Sequence, residues 1–149
     1  MRSRVHPSKL KEITTVRGLQ RIKAEVQAAK AAAELRDKSG ILSDTIDEQA
    51  AIEEAWGRSV SERSMQIEMT ALWSQALVGQ IERVRQANDA VEVSKRGVRK
   101  RSEELLDATN RDCEAKDLEK RAAKDASARR DEAHMAQVLD RYALRAVRP

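Results

Sequence analysis

The stretch VRQANDAVEVSKRGVRKRSEEL, residues 84–105, decides the fold. Val84, Val91, Val98 and Leu105 recur every seven residues, and most positions between them are charged or polar. A seven-residue apolar repeat marks one stripe of an α-helix that packs on another helix. A lone helix cannot bury such a stripe, so a partner helix is required.

Reading outward, the stripe extends as Leu77, Ile81, Val84, Asn88, Val91, Lys95, Val98, Ser102 and Leu105, in alternating steps of four and three. Asn88, Lys95 and Ser102 then put polar groups at alternate seam positions, which lowers stability and fixes register. From Ser61 to near Ala146 the sequence has no proline and no helix stop, which predicts one helix of about 85 residues.

The partner lies upstream. Pro7 precedes Ser8, a candidate N-cap, and Leu10, Ile13, Val16, Leu19, Ile22, Val26 and Ala29 follow at helical spacing. The run AAKAAAEL, residues 28–35, favours helix because Ala has the best intrinsic propensity. Leu42, Ile46, Ile52 and Trp56 continue the pattern. Gly57 is suited to end a helix, and Ser59 with Glu62 has capping-box spacing for the next one. Helix 1 is therefore expected over about 8–56, the turn over about 57–60, and helix 2 over about 61–146. Gly40 is a candidate kink, while Gly79 and Gly97 read as helix interior and possible points of close contact.

The expected fold is all-α: one domain over residues 1–149, in which two long helices form an antiparallel coiled-coil hairpin and the second is longer than the first. Its core would hold Leu19, Ile22, Val26, Leu77, Ile81, Val84, Val91, Val98 and Leu105. A turn at 57–60 pairs residues whose numbers sum to about 117, opposing Val91 to Val26 and leaving an overhang from about Arg111.

Composition agrees with long helices. Charged residues make up 36% and aromatics 2% of the 149 residues, with no Phe, five Gly and two Pro. Such a chain lacks the aromatic bulk from which compact cores draw much of their burial. The net charge of +4 is mild, and the signs are mixed along most of the sequence, so nucleic acid is not an expected partner. Cys113 stands alone, excluding an internal disulfide and suiting a reducing compartment. The basic opening lacks an apolar signal core, and no apolar run approaches membrane-span length, so a cytoplasmic location is expected.

Charge is polarised along the hairpin. Residues 1–23 carry Arg2, Arg4, Lys9, Lys11, Arg17, Arg21 and Lys23 against Glu12. The turn half carries Asp44, Asp47, Glu48, Glu53, Glu54, Glu62 and Glu68 against Arg58 and Arg63. The terminal end is thus basic and the turn end acidic, as on a solvated surface or on two docking ends for different partners. There is no phosphate-cradling glycine motif, His6 and His134 lack ligand spacing with Cys113, and acid pairs such as Glu103–Glu104 fall on exposed helix positions. No enzyme, cofactor or metal site is expected.

Three features together resemble the FliJ/YscO family, the central stalk proteins of flagellar and virulence type III export ATPases. They are the opening KLKEITTVRGLQRIKAEVQAAKAAAEL with its small-residue run, the turn near Gly57, and the tail from Ala115 with its Tyr142-Ala143-Leu144-Arg145 ending. The resemblance implies a non-enzymatic stalk. It would promote assembly of, and ATP hydrolysis by, a hexameric export ATPase, touch the cytoplasmic domain of the export gate, and bind export chaperones, at the inner face of the membrane through those partners only. It further implies a monomer when free. The implied ring-binding residues are Arg4, Lys9, Lys11, Arg17, Arg21, Arg141 and Arg145; the implied gate-binding residues are Leu42, Ile46, Gln49, Leu72, Ala76 and Gly79. A structural or adaptor coiled coil that self-associates through the same seam explains the heptads equally well.

Overall fold

The computed structural model describes residues 7–61 and 67–146, with side chains described over 8–61 and 67–143. The chain is all-α. Helix α1, Pro7–Ser61, and helix α2, Ile67–Ala146, have 55 and 80 residues and pack together as an antiparallel hairpin with the second helix longer. Among the described residues no helix is long and apolar enough to cross a membrane.

α1 opens at Pro7, so Ser8 lies in the first turn rather than capping it. Proline suits that position because its missing N–H would have had no intrahelical partner. The turn is not at 57–60. α1 runs through Gly57 to Ser61, and the connection falls after it, with Glu62 outside the described residues. Ser59 does not cap a new helix; its hydroxyl donates back to the Ala55 carbonyl at 3.0 Å. A single glycine costs a long helix only about 1 kcal/mol, too little to end it where Trp56 and Ser59 are half-buried. Gly40 is likewise inside continuous helix.

The later turn resets the register. Gln80 Nε2 donates to the Thr45 carbonyl at 2.8 Å and to Glu48 Oε2 at 3.3 Å, and Arg101 Nη1 donates to Gln27 Oε1 at 3.0 Å. Paired numbers therefore sum to about 128, not about 117, as one-to-one helix rise from a later turn requires. Val91 thus does not face Val26. α2 is half-buried or buried at every seam step as far as Ala126, and from Ser127 to Gln137 every residue is exposed. The overhang starts later than Arg111 for the same reason.

The seam on α2 keeps the seven-residue repeat. Val91 is 4% exposed, and Leu77, Val84, Val98 and Leu105 are half-buried. The alternate positions differ from expectation: they are Trp73, Gln80, Ala87, Ser94, Arg101, Ala108, Ala115 and Ala122. Ile81 is 55% exposed, and Asn88, Lys95 and Ser102 are also exposed. Either line makes alternating steps of three and four. The observed one continues into three alanines that permit close helix approach, whereas the other continues into Thr109 and Lys116.

α1 packs through a stripe running from Leu10 and Thr14 through Arg17, Arg21, Ala24, Ala28 and Ala31 to Leu35, Leu42, Ile52 and Trp56. Leu19, Ile22 and Val26, expected in the core, are 61%, 49% and 49% exposed. The reason is reach. The packing stripe holds its four-three spacing from Leu10 to Ser59, whereas Leu19, Ile22, Val26, Ala29 and Ala33 run out into Arg36, Gly40, Ser43 and Asp47.

The hairpin divides into two compact units, one comprising Met1–Lys23 with Leu106–Pro149 and the other Ala24–Leu105. The second holds Val91 and the Gln80 and Arg101 cross-links.

Candidate functional site

The basic residues of the terminal unit fall into two groups. Lys9 and Lys11 are exposed on the first turns of α1, and Arg141 is exposed near the end of α2. Arg17 and Arg21 instead sit half-buried in the packing stripe. Arg17 Nη1 donates to Gln20 Oε1 at 3.0 Å on its own helix. Arg4 and the Arg145 side chain lie outside the described residues.

Arg21 is committed inside the hairpin. Its Nε lies 3.2 Å from Oδ2 of Asp112, which is 1% exposed, and Lys116 Nζ donates to the same oxygen at 2.7 Å. The other oxygen, Oδ1, lies against Gly18: a Cβ built there would be 3.8 Å away. A buried carboxylate needs paired charge to offset its desolvation, and one cation comes from each helix. The cluster thus ties α1 to α2 at one register. Sequence reasoning missed it because Asp112 stands in a strongly charged segment with nothing to mark it as inward. Its signal was the seven-residue step from Leu105, and a Cβ at Gly18 would meet Asp112 only at ordinary van der Waals distance. Gly79 and Gly97, expected as contact points, have open space where a Cβ would stand.

The six gate-binding positions do not form one exposed neighbourhood. Leu42 and Gln49 are half-buried in the α1 stripe, where Gln49 Nε2 donates to Glu53 Oε1 at 2.8 Å. Ile46 is exposed beside that stripe. Leu72, Ala76 and Gly79 are all exposed on α2 at steps of four and three, so they share one exposed helix face.

In the terminal unit, two shallow grooves border the packed pair. One is lined by Glu12, Ile13, Val16, Arg17 and Gln20, the other by Glu114, Asp117, Leu118 and Arg121. Both are open, and neither gathers the convergent polar groups of a small-molecule site. No cluster of three or more potential metal ligands exists among the described residues. Cys113 is a free, exposed thiol. Glu92 has its carboxyl held below the usual carboxylate range by a hydrogen bond and charge attraction from Lys95, 2.7 Å away; this is an exposed helix-surface pair. No family model, curated protein or solved structure matches the chain.

Proposed function

We propose that the chain is a non-enzymatic stalk of a type III protein export ATPase, the flagellar system being the one to test first. In this reading its terminal end engages the ATPase ring and its turn half reaches the export gate and export chaperones. The observation that carries the proposal is the antiparallel hairpin with a longer second helix and exposed basic residues at its terminal end, Lys9, Lys11 and Arg141. Unequal helices would present different faces to the subunits of a ring, and basic side chains steer toward carboxylates. Arg17 and Arg21 leave the ring-binding set, because the packing stripe holds both and Asp112 occupies Arg21. The gate surface narrows to Leu72, Ala76 and Gly79.

The test is ATP turnover by the export ATPase of the same organism, with and without the chain. Stimulation is expected, and Lys9→Glu with Lys11→Glu should remove most of it without loss of helicity. A competent ATPase that the wild-type chain leaves unstimulated would overturn the reading.

A further inference from the structure

In the turn half of the hairpin, both helices carry exposed apolar side chains one residue past the seam. On α1 the seam runs Thr45, Gln49, Ile52, Trp56 and Ser59, and the positions after it are Ile46, Ala50, Glu53, Gly57 and Val60. On α2 the positions after Trp73, Leu77 and Gln80 are Ser74, Val78 and Ile81, and the same spacing carried back gives Ala71 and Ile67. Successive residues turn about 100° around a helix, and an antiparallel partner turns the opposite way when both are viewed from one end. Positions one past the seam therefore fall on the same side of the hairpin. The pairing of Gln80 with Thr45 sets Ile46 level with Ile81, Ala50 with Val78 and Val60 with Ile67. Ile67 is 89%, Val78 65%, Ile81 55%, Val60 54% and Ile46 48% exposed, so this side is an open apolar face. It lies wholly within the unit Ala24–Leu105. Contiguous exposed apolar faces mark interaction surfaces.

We infer that this face receives an amphipathic helix of another protein, one whose apolar stripe is edged by lysine or arginine. Charge selects that occupant. Glu53 stands on the face itself, and its outer borders carry exposed Asp47 and Glu54 on α1 and Glu68 and Glu82 on α2. Gln49 and Gln86 donate to Glu53 and Glu82, but these neutral amides leave the charge in place. The cations of the stretch lie mostly elsewhere. Arg58 and Arg83 stand one residue before the seam, on the other side of the hairpin, where Arg58 reaches Glu54 only at 3.8 Å and Arg83 donates to Gln80. Arg85 alone joins the face, at the end past Ile81. A second copy laid face to face sets carboxylate borders against carboxylate borders in either direction and offers only its own Arg85 to offset them. A basic-edged helix meets those borders with opposite charge. Its apolar residues at i, i+3, i+4 and i+7 meet the isoleucines and valines, and the small Ala50, Gly57 and Ala71 leave room for larger side chains. The inference goes beyond the stalk reading and stands without it, because the face includes none of Lys9, Lys11, Arg141, Leu72, Ala76 and Gly79.

The test uses the full chain and two labelled synthetic helices of about three heptads, alike in their apolar positions but edged with Lys in one and with Glu in the other. Fluorescence anisotropy should show the Lys-edged peptide binding roughly tenfold tighter, or more, than the Glu-edged one. Ile67→Glu with Val78→Glu should abolish its binding while circular dichroism stays unchanged. Asp47→Lys with Glu82→Lys, which leaves the apolar side chains in place, should weaken it roughly tenfold. Equal binding of the two peptides, binding that survives Ile67→Glu with Val78→Glu, or no binding of either would overturn the inference. So would self-association in sedimentation that Val78→Glu dissolves, which would assign the face to another copy of the chain.

Discussion

The two apolar stripes of α1 differ in a way that residue type alone does not convey. The packed stripe contains Thr14, Arg17, Arg21, Lys38, Thr45 and Gln49, while the open one begins with Leu19, Ile22 and Val26. A per-residue hydropathy ranking would exchange them. The packed stripe prevails by being continuous over the helix and by supplying Ala24, Ala28 and Ala31, which let the backbones approach. Its two threonines are satisfied locally: the Thr14 and Thr45 hydroxyls donate to the carbonyls four residues back, at 3.0 and 2.6 Å. Bulk that outruns its register is left outside.

The comparison breaks most visibly under charge insertion. Val91→Asp places an unpaired carboxylate at the most enclosed valine of the seam and should cost about 3 kcal/mol or more. Val26→Asp changes the same side chain on the open face and should stay within about 0.5 kcal/mol. Val and Asp have similar helix propensities, so the contrast reports burial. Thermal melts of both variants by circular dichroism check it. Equal destabilisation would mean that α1 packs through Val26 as well.

A smaller effect separates the two candidate seams of α2. Gln80 is 2% exposed and bridges to Thr45 and Glu48, while Arg83 Nη1 donates to its Oε1 at 3.5 Å. Gln80→Ala should cost about 1–2 kcal/mol through the lost cross-helix hydrogen bonds. Ile81→Ala, one residue on, should lie within about 0.5 kcal/mol of the parent, since it removes an exposed side chain and improves helix propensity. Denaturant melts that reverse this order would return the seam to Ile81, Asn88, Lys95 and Ser102.

The hairpin and the unequal helix lengths were legible because a seven-residue spacing survives any choice of neighbour: Leu77, Val84, Val91, Val98 and Leu105 all face inward. What lay between them was not legible. Steps of three-four and four-three fit the same heptad anchors, and a solvent-side isoleucine looks more like core than a buried glutamine does. The turn was misplaced because Gly57 and Ser59 have two uses, and helix continuity decided between them. That shift carried the pairing with it and removed Val26 from opposite Val91. Of the proposed ring-facing residues, Lys9, Lys11 and Arg141 are exposed as the basic pattern suggested. The inward turn of Arg21 could not be read from that pattern, since Asp112, which holds it, is 91 residues away in sequence.

The smallest effect belongs to the solvent face, where the comparison predicts little dependence on charge. Glu92 and Lys95 form an exposed pair one turn apart, with the carboxyl titrating below its ordinary value. A carboxyl lowered by folding contributes stability above its unfolded pKa and loses it as the pH falls through its folded value. Wild type should therefore exceed Glu92→Gln in melting temperature by a small margin near neutral pH, and the margin should close in acid. High salt should narrow it too, because exposed pairs are screened. A margin as large as that of Gln80→Ala, or one that persisted in acid, would mean that Glu92 is held by more than its neighbour Lys95.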